Sequence, residues 1–155
     1  MSSILEFSDA NNRGEWDKFV TSFEEANFLQ SWDFYEFHKS RGLEIVRRIA
    51  KKDGKIVAAY AGVVEHAKRG RHLAVAGGSI LDWSDKKLIK ATVADLEKQG
   101  RENHCVFIRV RPQLELSEKS TKLFKELGFK KAPMYLSVEY AGILDLSKSE
   151  EELLA

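Results

Sequence analysis

The sequence predicts one α/β domain in which helices pack on a mixed, mainly antiparallel sheet. Three observations predict it. The apolar pattern switches between strand-like runs and stripes spaced three to four apart, in the order β-α-α-β-β-β-α-β-α-β. Asp53-Gly54, between two apolar runs, is a strong short-range signal for a tight hairpin, so antiparallel strands fill the middle. Later strands are separated by helices, and helical crossovers bring strands together in parallel.

Residues 4–7 read as a first strand. In residues 13–25, Trp16, Phe19, Val20 and Phe23 form one apolar stripe of a helix. Ser31 is placed to cap a second helix and Gly42 to stop it. Residues 45–51 and 55–67 are the hairpin strands flanking Asp53-Gly54. Lys68-Arg69-Gly70-Arg71 makes a basic turn into a strand at 72–81, where Gly77-Gly78 marks a bulge or a close backbone approach. Ser84 caps a third helix with Leu88, Ile89, Thr92, Val93 and Leu96 on one face, ending near Gly100. Residues 105–111 read as a buried strand. Ser117 caps a fourth helix, with Leu123, Phe124 and Leu127 inward and Gly128 at its exit. A last strand is expected over 134–146, with a bulge at Gly142. Ser147 and Ser149 then offer N-caps, with Glu150 and Glu152 in capping-box positions. The organisation expected is a domain over 1–146, with 147–155 beginning a segment that leads to a second domain.

Composition narrows the function classes. The 155 residues include 43% hydrophobic ones, enough for one core. The formal charge of +1 gives no global drive toward DNA or anionic lipid, though it leaves local patches open. The lone Cys105 excludes an internal disulfide and a multi-cysteine metal site, and suits a reducing compartment. The start of the chain lacks a signal-peptide pattern, and the longest apolar run, 56–64, is too short to span a bilayer. These features read as cytoplasmic, with no transmembrane segment.

Chemistry-bearing residues are sparse. Cys105 lies in an apolar strand, where an inert thiol is expected. His66 and His72 flank the basic turn and read as solvated strand-end residues rather than metal ligands. The second helix carries aromatics on both sides: Trp32, Tyr35 and Lys39 share one face, and Phe34, Phe37 and Arg41 the other, with His38 beside them. Such a helix is either buried between layers or lines a groove with one face. Arg109, in an apolar strand, needs an anionic partner, either a ligand or a structural acid such as Glu139.

The element order, with Leu123-Phe124-Lys125-Glu126-Leu127-Gly128-Phe129, resembles the GNAT acetyltransferase fold. Acetyl-CoA-binding members cradle the pyrophosphate with Arg or Gln, two residues, Gly, one residue, then Gly or Ala. No glycine here has Arg or Gln three residues before it. The corresponding segment reads Asp82-Trp83-Ser84-Asp85, whose acids would repel a pyrophosphate.

Phe28-Leu29-Gln30-Ser31, the helix through Gly42, and Asp53-Gly54-Lys55-Ile56-Val57-Ala58 together resemble the Fem family. So do Lys68-Arg69-Gly70-Arg71, Gly77-Gly78-Ser79-Ile80-Leu81-Asp82, Ile108-Arg109-Val110-Arg111-Pro112 and the segment 144–154. These are the bacterial FemABX-type aminoacyltransferases that build peptidoglycan interpeptide bridges, and with them cell wall and cell shape. The chain covers about half of such a protein. Ala76-Gly77-Gly78-Ser79 departs from the family's Pro-x-Gly-Pro, and Arg111 stands where the family has an acid. The resemblance implies transfer of an amino acid from aminoacyl-tRNA to the stem peptide of a nucleotide- or lipid-linked precursor. It implies no cofactor and no metal. The tRNA-facing and catalytic surface would lie mostly in the second domain, so this half alone is expected to be inactive and its catalytic residues are unassigned. The family's phosphate-contacting lysine falls on His38 or the adjacent Lys39. The precursor site expected is therefore His38, Lys39 and Arg109, with Trp32 and Tyr35 as an apolar wall. Two other classes are a non-catalytic muropeptide- or protein-binding module and a stand-alone small-molecule N-acyltransferase.

Overall fold

The computed structural model describes residues 4–133 and 144–154. Strand β1 (Leu5–Asp9) pairs antiparallel with β2 (Glu44–Lys52), which pairs antiparallel with β3 (Lys55–Ala67). Asp53 and Gly54 both adopt positive φ, 51° and 77°, the type I′ pattern that matches the twist of the two strands. Beyond the basic turn, β4 (Gly70–Ala76) continues the antiparallel order, and β5 (Ile80–Leu81) pairs with the start of β3. Strand β6 (Phe107–Arg111) runs parallel to β4, which makes the sheet mixed.

Helices α1 (Arg13–Val20) and α2 (Trp32–Ser40) cover one face, joined by a 3-10 turn at Phe28–Gln30. Trp16, Val20 and Tyr35 pack there with Ile49, Ala59, Ala61, Val63 and Ile80. Helix α3 (Lys86–Glu102) covers the other face, where Leu96 meets Val46, Tyr60, Val64, Leu73 and Val75. Helix α4 (Glu118–Glu126) leans Leu123 and Leu127 on Leu81, Leu88 and Ile89. A short α5 (Glu150–Leu154) follows the capping box of Ser149 and Glu152.

Several sequence expectations change. Helix α1 ends at Val20 rather than near residue 25, because Ser22 N–H bonds Phe19 C=O in a tighter turn; Phe23 still packs edge-on against Phe19. The strand expected over 72–81 is two pieces, interrupted at Gly77-Gly78. Asp85, not Ser84, caps α3, since Asp82 Oδ1 accepts both the N–H and the O–H of Ser84. That helix runs past Gly100, whose missing side chain admits Ile108, 2.9 Å from where a Cβ would stand. Strand β6 begins at Phe107 and is half-buried rather than buried. Most of the strand expected over 134–146, with its Gly142 bulge, lies outside the described residues.

Each face holds buried polar groups. On the α3 face, Arg48 donates to both oxygens of Asp95 (3.1 and 3.0 Å) and to Asp9 (2.7 Å), while Tyr60 donates to Asp95 at 2.6 Å. On the α2 face a neutral device, set beside the Arg47–Glu36 pair, organises the candidate site.

Candidate functional site

Ala61 occupies a gap in the sheet. Strand β3 pairs with β4 only from Val63↔Ala74 onward and with β5 only at Ala58 and Ala59, so no strand faces Ala61 between them. The side-chain amide of Gln30 takes the strand's place. Its Oε1 accepts from Ala61 N–H at 2.9 Å, and its Nε2 donates to Ala61 C=O (3.1 Å) and Ala76 C=O (2.7 Å). Gln30 is fully buried, as a satisfied amide can be. Asn27 donates to Gly77 C=O at 2.9 Å. A Cβ on Gly78 would stand 2.8 Å from the Gln30 amide, and one on Gly77, whose φ is +68°, would strike Asn27. The close approach expected at Gly77-Gly78 is therefore to these two amides.

The same arrangement fixes α2. Ser31 Oγ accepts from Phe34 N–H at 3.2 Å, and Gly42 leaves the helix at φ +77°. Tyr35 points into the sheet, 1% exposed, and donates to Ala61 C=O at 2.6 Å. Burial pushes its hydroxyl well above the ordinary phenol range, so it remains a proton donor. Trp32 lies toward β2, where the Arg47 guanidinium stacks 3.6 Å from its ring centre and pairs with Glu36 at 3.0 Å. Lys39, seven residues on, projects on that same side and is exposed. His38 and Phe34 lie on the opposite side, toward β4, packed edge-on at 4.5 Å. His38 Nδ1 is buried without a hydrogen-bond partner among the described residues.

Strand register places Arg109. Ile108 and Val110 pack into the α3 core, so Arg109, alternating with them, faces the α2 side. Val63, Ala74 and Arg109 stand in one row across β3, β4 and β6. Ala76 and Arg111 pair in the next row. The alanines are half-exposed and too small to fill the space. Ala74 and Ala76, the β6 arginines Arg109 and Arg111, and the cluster of Phe28, Phe34 and His38 thus share the α2 face of the sheet, an arrangement we call the trough. Phe28 is 70% exposed and meets Phe34 edge-on at 5.6 Å. His72 and Phe107, stacked at 4.5 Å, continue the sheet surface one row beyond Arg109, with Glu65 3.4 Å from His72. His72 is thus buried, not the solvated residue expected, because β6 lays Phe107 on it. Such a trough suits an anionic ligand with a planar or apolar portion.

Of the five expected site residues, Arg109 and His38 belong to this trough. Lys39 projects toward the β2 side of the helix, and Trp32 and Tyr35 position α2 rather than form an open wall. Glu139, the alternative partner for Arg109, lies outside the described residues; among these, no ion pair involves Arg109. The sequence reading missed Phe28 and Arg111. The signals were present, as Phe34 and His38 are four apart and Arg111 is two from Arg109 on one strand face.

On the opposite face the start of α3 is filled from within. Asp85 Oδ1 accepts from the N–H groups of Lys87 (2.9 Å) and Leu88 (3.0 Å), occupying the first amides of α3. Ser79, Leu81, Trp83, Ile89, Phe124 and Leu127 surround a cavity of about 10 Å3 near that start, and toward the end of α3 an open cavity of about 280 Å3 is lined by Leu96, Gly100, Cys105, Ile108, Leu127 and Phe129. Cys105 is half-buried, and burial raises its thiol above the ordinary range, as an inert thiol requires. Among the described residues no group of three or more His, Cys, Asp or Glu is placed to hold a metal, and no helix is long and apolar enough to cross a membrane.

This architecture is that of the GNAT-like acyltransferase fold. It matches a solved trypanosomal (Trypanosoma brucei) acetyltransferase with TM-score 0.61 and 18% identity, covering 88% of this chain and 100% of that one. It matches the aminoglycoside acetyltransferase AAC(6')-Iy with TM-score 0.64 and 13% identity, covering 90% and 100%. The crystal structure of FemX matches with TM-score 0.72 and 21% identity over 81% of this chain but only 32% of FemX. The FemAB family model matches residues 12–134, and the chain belongs to the FemAB family. No curated protein matches it in sequence.

Proposed function

We propose that this chain forms the precursor-binding half of an aminoacyltransferase that extends the stem peptide of a peptidoglycan precursor. The trough carries the reading: an arginine strand faces an aromatic row, in a member of the FemAB family. Arg109 would contact a phosphate of the nucleotide- or lipid-linked precursor through charge-assisted hydrogen bonds. His38 would contribute the exposed part of its ring from the α2 side, beside Phe34, with Lys39 one residue further along the helix. Trp32 and Tyr35 would act through α2, holding His38 at its height above the sheet.

In the reaction, the stem peptide's side-chain amine attacks the ester carbonyl of aminoacyl-tRNA. The amide C–N bond forms, the ester C–O bond breaks, and the tRNA ribose hydroxyl leaves with the proton given up by the amine. The protein's part is to position the two partners and stabilise the oxyanion. This half supplies the precursor's position, and a second domain, into which residues 147–155 would lead, supplies most of the tRNA-facing surface. A small-molecule N-acyltransferase using acetyl-CoA is the weaker reading, because Asp85 already fills the helix N-terminus that a pyrophosphate would need.

Calorimetry with a nucleotide-linked muropeptide tests the proposal. Arg109→Ala should weaken binding by about 1.5–3 kcal/mol, roughly ten- to a hundredfold, without lowering Tm. His38→Ala should weaken it more than Lys39→Ala, given the sides of α2 they occupy. Unchanged affinity in all three variants would remove the trough from the reading.

A further inference from the structure

Helices α3 and α4 meet where Trp83 packs on Phe124, with ring centres 5.6 Å apart, and where Leu123 and Leu127 lean on Leu88 and Ile89. The surface around that contact is rich in lysine. Segments 82–90 and 117–131 hold eight lysines against four acidic residues, in a chain whose formal total is only +1. Lys86, Lys87, Lys90, Lys119, Lys122 and Lys125 are all exposed. Of these six, Lys122 alone has an ion pair among the described residues, a 3.9 Å contact with Glu126 that solvent weakens. Asp82 and Asp85 turn their carboxylates onto N–H groups of their own loop and helix start. By contrast, Arg13, Arg47, Arg48, Lys51 and Arg71 are each neutralised by an acid.

The apolar side of α4 faces the domain, so this surface presents charge with no apolar face free to enter a bilayer. A surface of exposed lysines without an apolar face matches a phosphate backbone, whose counterions it displaces. We infer that the start of α3 and helix α4 form an RNA-binding surface that contacts the phosphate backbone of the aminoacyl donor's tRNA. The choice of tRNA rests on the function proposed above; the basic surface does not. This half of the protein then contributes to donor binding as well as acceptor binding, and does so without base-edge contacts, so the interaction is insensitive to RNA sequence.

Fluorescence anisotropy with labelled uncharged tRNA tests this between about 50 and 200 mM salt. Two triple variants remove the surface: Lys86→Gln with Lys87→Gln and Lys90→Gln, and Lys119→Gln with Lys122→Gln and Lys125→Gln. A control removes three charges at the far ends of β3 and α3: Lys68→Gln, Arg69→Gln and Lys98→Gln. Each surface variant should bind at least about tenfold more weakly and flatten the slope of log affinity against log salt by roughly 2 to 3. The control should match the parent chain. Equal losses in control and surface variants, no loss in any, or no tRNA binding by the parent would overturn the inference. Binding to phosphatidylglycerol vesicles in place of tRNA would also overturn it, in favour of a membrane surface. Muropeptide affinity measured on the same variants should be unchanged. A parent chain that binds tRNA but no muropeptide would sink the functional reading and leave the lysine surface standing.

Discussion

The two faces of the sheet solve the same packing problem in opposite ways. At the start of α3, β5, α3 and α4 close around apolar side chains and the helix's first amides are satisfied from within, while an open cavity remains toward the helix's end. On the α2 face, α2 covers β2 and β3 and leaves the half-exposed β4–β6 rows beside it. The α3 face is held by the ionic group Arg48–Asp95–Tyr60, and the α2 face by the neutral amide of Gln30 together with the Arg47–Glu36 pair.

The comparison is most severely tested at Asp95. Asp95→Ala leaves the buried Arg48 charge and the Tyr60 hydroxyl without their main acceptor, and should cost about 3–5 kcal/mol of stability in denaturant titration. A loss below about 1 kcal/mol would mean that water reaches Arg48. Gln30→Ala probes the α2 face. It strands the backbone groups of Ala61 and Ala76, and should cost about 2–3 kcal/mol. It should also weaken muropeptide binding, because α2 loses its anchor, whereas Asp95→Ala should leave affinity nearly unchanged where the variant remains folded.

Titration separates the faces on a finer scale. Burial and the hydrogen bond to the Asp95 carboxylate hold the Tyr60 hydroxyl far above the ordinary phenol range. The folded chain therefore keeps a proton that the unfolded chain releases near pH 10. Stability from this group is complete below that pH and falls as pH rises, by about 1.4 kcal/mol per pH unit. Tyr60→Phe should remove that part of the alkaline slope, measured as unfolding free energy from pH 9 to 11. An unchanged slope would show that Tyr60 ionises freely. The smallest expected effect is none at all: acetyl-CoA titrated into the chain should give no low-micromolar binding signal. Binding of that strength would mean that the α3 start opens despite Asp85.

What the sequence made legible follows how local each cause is. The hairpin at Asp53-Gly54 and the Ser31 cap with its Gly42 exit are decided within a few residues, and they read correctly. Asp85 displaced Ser84 as the cap because of one further side chain, Asp82, whose orientation no propensity encodes. Arg109 was found as an unusual charge in an apolar strand, but its neighbours were not, because they come from β3 and β4 through a register that residue spacing alone does not supply. Trp32 and Tyr35 looked like a ligand wall because aromatics on two sides of a helix fit both a groove and a buried layer. Arg47 and Ala61 decide between these, and both are distant in sequence. Gln30 sits in a motif that carries the family resemblance, yet its work is to complete a sheet.

The row of Val63, Ala74 and Arg109 makes the electrostatics of the trough a matter of parity. Side chains on β6 alternate between the faces, so the turn after α3, at residues 103–106, sets which face receives the charge. One residue added or lost there, with the pairing otherwise kept, would turn Arg109 into the core beside Leu73 and Val75 and bring Ile108 or Val110 into the trough. Insertions of two would restore the pattern. Among relatives with this fold, the length of that turn modulo two should therefore track whether the trough accepts anions, independently of which residues the strand contains.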